Sequence, residues 1–147
     1  MNVIGIIPAR MGSSRFPGKP LEKINGMPMI GHCYHRTALA PGVKKAYVAT
    51  CDTEIYDYIL SIGGNAVMTS NTHTRATTRT AEALEKIEIE TGDKVDVVVM
   101  VQGDEPLIQP NTIGETILHF KDQSINIVNI MSRLLTKEAF KDENNVK

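Results

Sequence analysis

The apolar run at residues 3–7 empties directly into a loop that carries three cations and no acid. The run reads as a buried strand. The thirteen residues from Pro8 to Pro20 then hold Arg10, Arg15 and Lys19, the hydroxyls of Ser13 and Ser14, Gly12 and Gly18, and three prolines. Glycines let backbone N–H groups turn toward an anion at close range. Prolines stiffen such a loop, so less entropy is lost when a ligand arrives. Cations at both ends suit a polyphosphate. Ordinary solvated surface charge does not explain three like charges with no acid among them.

Two familiar phosphate-binding motifs fail here. The P-loop needs G-x-x-x-x-G-K followed by a hydroxyl residue. Gly12 and Gly18 are one residue too far apart, and Pro20 stands where that hydroxyl belongs. The dinucleotide fingerprint G-x-G-x-x-G is absent after the first strand.

Further along, strands are expected at 2–7, 46–50, 66–69, 96–101 and 125–130. Helices are expected at 28–40, from a cap at Asp52 to 62, at 78–90, from 110 or 111 to 121, and at 136–140. Asn25-Gly26, Gly63-Gly64 and Thr91-Gly92 supply the turns and stops. Ile30, Cys33, Tyr34 and Thr37 form the buried face of the first helix, with His32 and His35 partly exposed on it. Glu82, Glu85, Lys86, Glu88 and Glu90 read as a solvated face. Five hydrophobic residues at 97–101 mark a central parallel strand covered on both faces. Alternating strands and helices mean an α/β fold, a mostly parallel sheet with helices on both faces. Ligands in such sheets sit beyond the carboxyl ends of the strands. The basic loop and Gln102-Gly103-Asp104 both lie at such ends.

Asp104 has two readings on spacing alone. It either punctuates the turn before Pro106 or offers a carboxylate to Mg2+, which takes one or two carboxylates plus phosphate oxygens and water. Composition narrows the ligand. Sixteen basic and seventeen acidic residues among 147 give a net charge of −1, so no nucleic-acid footprint is present and a small anion fits better than a polymer. Cys33 and Cys51 lack metal spacing and read as small buried hydrophobes. The start of the chain shows no secretion signal, and no run is long enough to span a membrane, so a cytoplasmic location is expected.

Residues 7–21 closely resemble the opening of the 3-deoxy-manno-octulosonate (Kdo) cytidylyltransferases, also called CMP-Kdo synthetases, in the pattern Ile7-Pro8-Ala9-Arg10-x-Gly12-Ser13-x-Arg15-x-Pro17-Gly18-Lys19-Pro20-Leu21. Val101-Gln102-Gly103-Asp104-Glu105-Pro106 resembles the same family's second signature. The resemblance implies a Rossmann-like, nucleotide-diphospho-sugar transferase fold. It implies that CMP passes from CTP to a Kdo-like sugar acid with release of pyrophosphate, in lipopolysaccharide or surface-glycan precursor synthesis. By resemblance Arg10, Arg15 and Lys19 hold the triphosphate, and Pro8, Ala9, Gly12, Ser13 and Ser14 line its pocket. Asp104 is implied as the Mg2+ ligand, with Arg10, Lys19 and Asp104 as the catalytic set and Gln102 near the nucleotide or sugar.

Met68-Thr69-Ser70 and His73 match a third signature that holds the cytidine. There Thr77 and Arg79 agree with the family and are implied as nucleotide ligands, whereas Arg75, Ala76 and Thr78 depart from it. A related pyrimidine nucleotidyltransferase with another sugar therefore stays open, as does nucleotide binding without catalysis. The family runs longer, and residues 139–147 read as the approach to a further strand. Residues 1–147 are accordingly expected to be the nucleotide-binding part of one cytidylyltransferase domain. The rest would hold most of the sugar pocket, a second metal-binding acid and much of a homodimer interface.

Overall fold

The computed structural model describes residues 1–12, 16–131, 133 and 135–142, the side chains of 139 and 140 excepted. Among them a four-stranded sheet runs in the order β5-β4-β1-β6, from β1 (Val3–Pro8), β4 (Lys45–Thr50), β5 (Ala66–Met68) and β6 (Val97–Met100). Every pairing in it is parallel. A small antiparallel hairpin, β2 (Lys23–Ile24) with β3 (Met27–Pro28), follows the basic loop. Its turn is Asn25-Gly26, both at positive φ (50° and 85°), as a two-residue hairpin requires.

Side chains of β1 alternate in period two. Val3 and Ile7 enter one core with α1 (Met29–Ala38), α2 (Thr53–Ser61) and α4 (Pro110–Leu118). Ile4 and Ile6 enter the other with Ala83 and Ile87 of α3 (Ala76–Thr91). Helices thus cover both faces, as expected. On α1 the residues at helical spacing, Ile30, Cys33, Tyr34 and Thr37, are buried, and the Thr37 hydroxyl donates to the Cys33 carbonyl at 2.8 Å. α2 and α3 both give way to glycines at φ 73°, Gly63 and Gly92. A short helix, α5 (Lys137–Lys141), lies near the end.

Four expectations are corrected. β6 is an edge strand among the described residues, pairing only with β1. Its Val98 and Val99 are consequently only half-buried and Met100 is exposed. Residues 125–130 form no strand; Ile127 and Ile130 are exposed, because no described strand offers them a ladder. Cys51 is half-buried, in contrast to the fully buried Cys33. Glu82 and Glu88 are not simply solvated. Glu88 accepts from Lys94 Nζ at 2.7 Å and from the Val95 N–H at 2.9 Å, closing the turn between α3 and β6.

β1 comes so close to α1 that a Cβ at Gly5 would lie 2.3 Å from Thr37 Cγ2. Thr37 is fully buried and β-branched, so it has little freedom to yield. Gly5→Ala is expected to lower the unfolding free energy by about 2 kcal/mol, the scale of overpacking in a core. Chemical denaturation checks this, and an unchanged midpoint would mean that the helix shifts freely.

Candidate functional site

All four strands of the sheet end at the same rim, where a cleft of about 580 Å3 opens. The first wall leaves β1. The Ala9 N–H still donates to the Ala49 carbonyl at 2.9 Å, and the chain departs from the sheet at the exposed Arg10. The Met11 N–H is held by Asp52 Oδ2 at 2.7 Å, and the Met11 carbonyl accepts the Gly18 N–H at 2.9 Å. Met11 and Gly18 are therefore drawn together as a closed neck. Gly18, at φ 77°, turns the chain into a single 3-10 turn, Lys19–Leu21, anchored by the buried Pro20. Pro8, Ala9, Arg10, Gly12 and Lys19 line the cleft. Ser13, Ser14 and Arg15 lie outside the described residues.

The second wall follows β6. The Val101 N–H donates to the Ile6 carbonyl at 3.1 Å, and the chain then turns, with the Glu105 N–H donating to the Gln102 carbonyl at 3.2 Å. A Cβ at Gly103 would lie 2.8 Å from the Pro8 carbonyl oxygen, so only glycine lets the two motifs pack this closely. The Cys33 thiol donates to the Gly103 carbonyl at 3.4 Å, and burial pushes that thiol up to about 11. It is a neutral packing group at neutral pH. Lys19 Nζ and Asp104 Oδ2 meet at 3.0 Å, joining residues 85 apart in sequence. Gln102 and Gly103 line the cleft beside them.

The third wall connects β5 to α3. His73, Thr74, Arg75, Ala76 and Arg79 line the cleft there. Arg79 is only 3% exposed. Its Nη1 donates to Thr69 Oγ1 at 2.5 Å and to the Ser70 carbonyl at 3.3 Å. Its Nη2 is enclosed and has no hydrogen-bond partner among the described residues. A buried guanidinium donor without an acceptor carries a large desolvation penalty. Thr77, expected as a nucleotide ligand, is exposed in the first turn of α3 and is not among the residues lining the cleft.

The described lining residues bear four cations, Arg10, Lys19, Arg75 and Arg79, against the single carboxylate of Asp104. A concave surface with that balance concentrates anions. Two further carboxylates stand behind the walls, where their sequence surroundings did not place them. Asp52 makes no side-chain cap to α2, because its carboxylate is engaged by the Met11 N–H. Glu82 accepts from the Ser70 N–H at 3.0 Å and from His73 Nε2, and pairs with Lys86 Nζ at 2.8 Å. The only sequence signals are an acid two residues after a strand end and an i,i+4 Glu–Lys pair, both of which also occur on plain surfaces.

Removing the anchor in Asp52→Ala is expected to cost about 1 kcal/mol and to speed hydrogen exchange at the Met11 amide. Exchange unchanged at Met11 would mean that the loop is held by other contacts. The Lys86 ammonium, His73 and the Ser70 N–H together bring the Glu82 carboxyl from an ordinary 4.5 down to about 2. A depressed carboxyl stabilises the fold fully above 4.5, and that contribution fades as the pH falls toward 2. The Ser70 amide resonance should accordingly titrate near 2. A midpoint near 4.5 would show a carboxylate without these partners.

The cytidylyltransferase family profile matches residues 4–147. The 8-amino-3,8-dideoxy-manno-octulosonate cytidylyltransferase of Shewanella sp. (strain W3-18-1) is 49% identical over 123 residues, covering 84% of this chain and 49% of that protein. The 3-deoxy-manno-octulosonate cytidylyltransferase of Fusobacterium nucleatum is 41% identical over 148 residues, covering 100% of this chain and 58% of that protein. The solved structure of CMP:2-keto-3-deoxy-manno-octonic acid synthetase complexed with CTP matches with a TM-score of 0.77 at 38% identity, over 84% of this chain and 49% of that one. The chain spans about half the length of the curated relatives it matches. With the profile covering nearly every residue from the first strand onward, the chain belongs to the cytidylyltransferase family.

Proposed function

We propose that this chain is the nucleotide-binding part of an enzyme that transfers CMP from CTP to a 3-deoxy-2-keto sugar acid. The observation that carries the reading is that Arg10, Lys19 and Asp104 line one cationic cleft, in which Lys19 pairs with Asp104. In the reaction the sugar's anomeric hydroxyl attacks the α-phosphorus of CTP. A new P–O bond forms as the bond to pyrophosphate breaks, and the hydroxyl proton is lost to solvent or a base. No protein nucleophile is required.

In this reading Arg10, Lys19 and Arg15 neutralise charge that builds on the phosphate oxygens, the effect that dominates such transfers. The backbone of Pro8, Ala9 and Gly12 to Ser14 lies along the phosphates. Gln102 and Arg79, which line the cleft, face the nucleoside; Thr77, exposed in the first turn of α3, is assigned to the same end of the ligand. Asp104 suits a divalent ion such as Mg2+, being an exposed hard-oxygen donor at a strand end where phosphate and water fill the remaining positions. Such an ion supplies Lewis-acid stabilisation of phosphate charge. With Asp104 holding such an ion, Lys19 would leave its ion pair and serve the phosphates.

The same reading puts residues 1–147 within a single domain, with CTP and the sugar acid as partners, in a homodimer, making lipopolysaccharide or surface-glycan precursors in the cytoplasm. No helix among the described residues is long and apolar enough to cross a membrane. Arg75 on the cleft wall, together with Thr78, supports a second reading: a related pyrimidine nucleotidyltransferase that takes another acidic sugar.

Calorimetric titration with CTP, UTP, ATP and GTP in the presence of Mg2+ tests the proposal. CTP is expected to bind best. Arg10→Ala and Lys19→Ala should each weaken it by roughly tenfold to a hundredfold, the scale of a charge-assisted hydrogen bond. Asp104→Asn should remove the Mg2+ dependence of the affinity. Equal affinity for all four nucleotides, or none for any, would overturn the reading.

A further inference from the structure

We propose that Glu82 is a positioning residue that shapes the cleft wall opposite the basic loop, and so sets affinity for the nucleoside end of the ligand and not for its phosphates. The inference rests on the nucleotide reading above. Residues 69–75 join β5 to α3 without regular structure, yet they supply three residues of the cleft. A segment like this has many conformations unless its polar groups are tied down.

One carboxylate ties it. Both Glu82 oxygens accept from the Ser70 N–H, at 3.1 and 3.0 Å, and Oε2 also receives His73 Nε2. Ser70 is gripped on its other side as well, since its carbonyl accepts from Arg79 Nη1. Lys86, one turn further along α3, contacts Glu82 Oε1 and donates to the Met68 carbonyl, both at 2.8 Å, which fixes the end of β5. His73 then hands the restraint on. Its Nδ1 meets Thr78 Oγ1 at 3.1 Å, and that hydroxyl donates to the Arg75 carbonyl at 3.0 Å. The line Glu82–His73–Thr78–Arg75 therefore crosses the whole segment.

Glu82 does not line the cleft, but it touches His73, which does, and it shares Ser70 with Arg79, which also does. It acts through these neighbours. The phosphate-facing cations Arg10 and Lys19 belong to a different wall with separate anchors, Asp52 and Pro20. The two ends of the ligand should for that reason respond independently.

The test compares CTP with inorganic tripolyphosphate, both with Mg2+, by calorimetry on the full chain. Glu82→Gln keeps the shape and removes the charge. It is expected to weaken CTP roughly tenfold while tripolyphosphate affinity stays within about twofold. Glu82→Asp should recover part of the loss. Gly5→Ala, destabilised at a distance from the cleft, serves as the control and should leave both affinities alone. A parallel fall for both ligands in Glu82→Gln, or no change in either, would sink the inference while leaving the nucleotide reading intact. Wild-type protein that binds CTP no better than tripolyphosphate would overturn the nucleotide reading and the inference with it.

Discussion

The cleft exists because β1 lies between β4 and β6 and all three run the same way. A parallel ladder lines up the carboxyl ends of its strands, so each strand delivers its outgoing loop to one rim. β1 brings Arg10, β4 brings Asp52, β5 brings Ser70 and His73, and β6 brings Gln102 to Asp104. An antiparallel β6 would carry Asp104 to the opposite edge of the sheet, about 13 Å away for a strand of four residues. The close approach of Gly103 to the Pro8 carbonyl shows how tightly that register is set.

Charge is sorted by depth. Arg10, Lys19, Arg75 and Arg79 face the cleft, whereas Asp52 and Glu82 stand behind it. Each of these two acids accepts a backbone N–H from a segment without regular structure. Each thereby replaces the ladder hydrogen bonds that such a segment lacks, and backbone donors near the core need a partner of some kind. Asp104 is the exception at the front, balanced by Lys19 while no anion competes. The acids give the walls their shape, and the cations set the sign of the ligand that enters.

Much of this was legible in the residues. The period-two run of β1, the Asn25-Gly26 turn, the face Ile30-Cys33-Tyr34-Thr37 and the glycine stops at Gly63 and Gly92 are local signals, and each sits where expected. The misreadings share one cause. Apolar content at 97–101 and 125–130 reports that a segment is fit to be a strand, but pairing depends on neighbours that lie far away in sequence. Among the described residues β6 therefore lies at an edge, and residues 125–130 have no ladder. By sequence Asp52 reads as a cap and Glu82 as a solvated charge, because nothing in an acid's own surroundings names a partner 41 or 12 residues away.

The sequence by itself determined the α/β alternation, the basic loop with its glycines, and the acid that follows the apolar run, since composition and short-range spacing control backbone propensity and local charge. Tertiary structure alone decided that Lys19 reaches Asp104, that Arg79 is buried with a donor left open, and that Asp52 and Glu82 hold the two loops. These are through-space contacts between segments joined only by the sheet's order, and that order comes from the burial of both faces together.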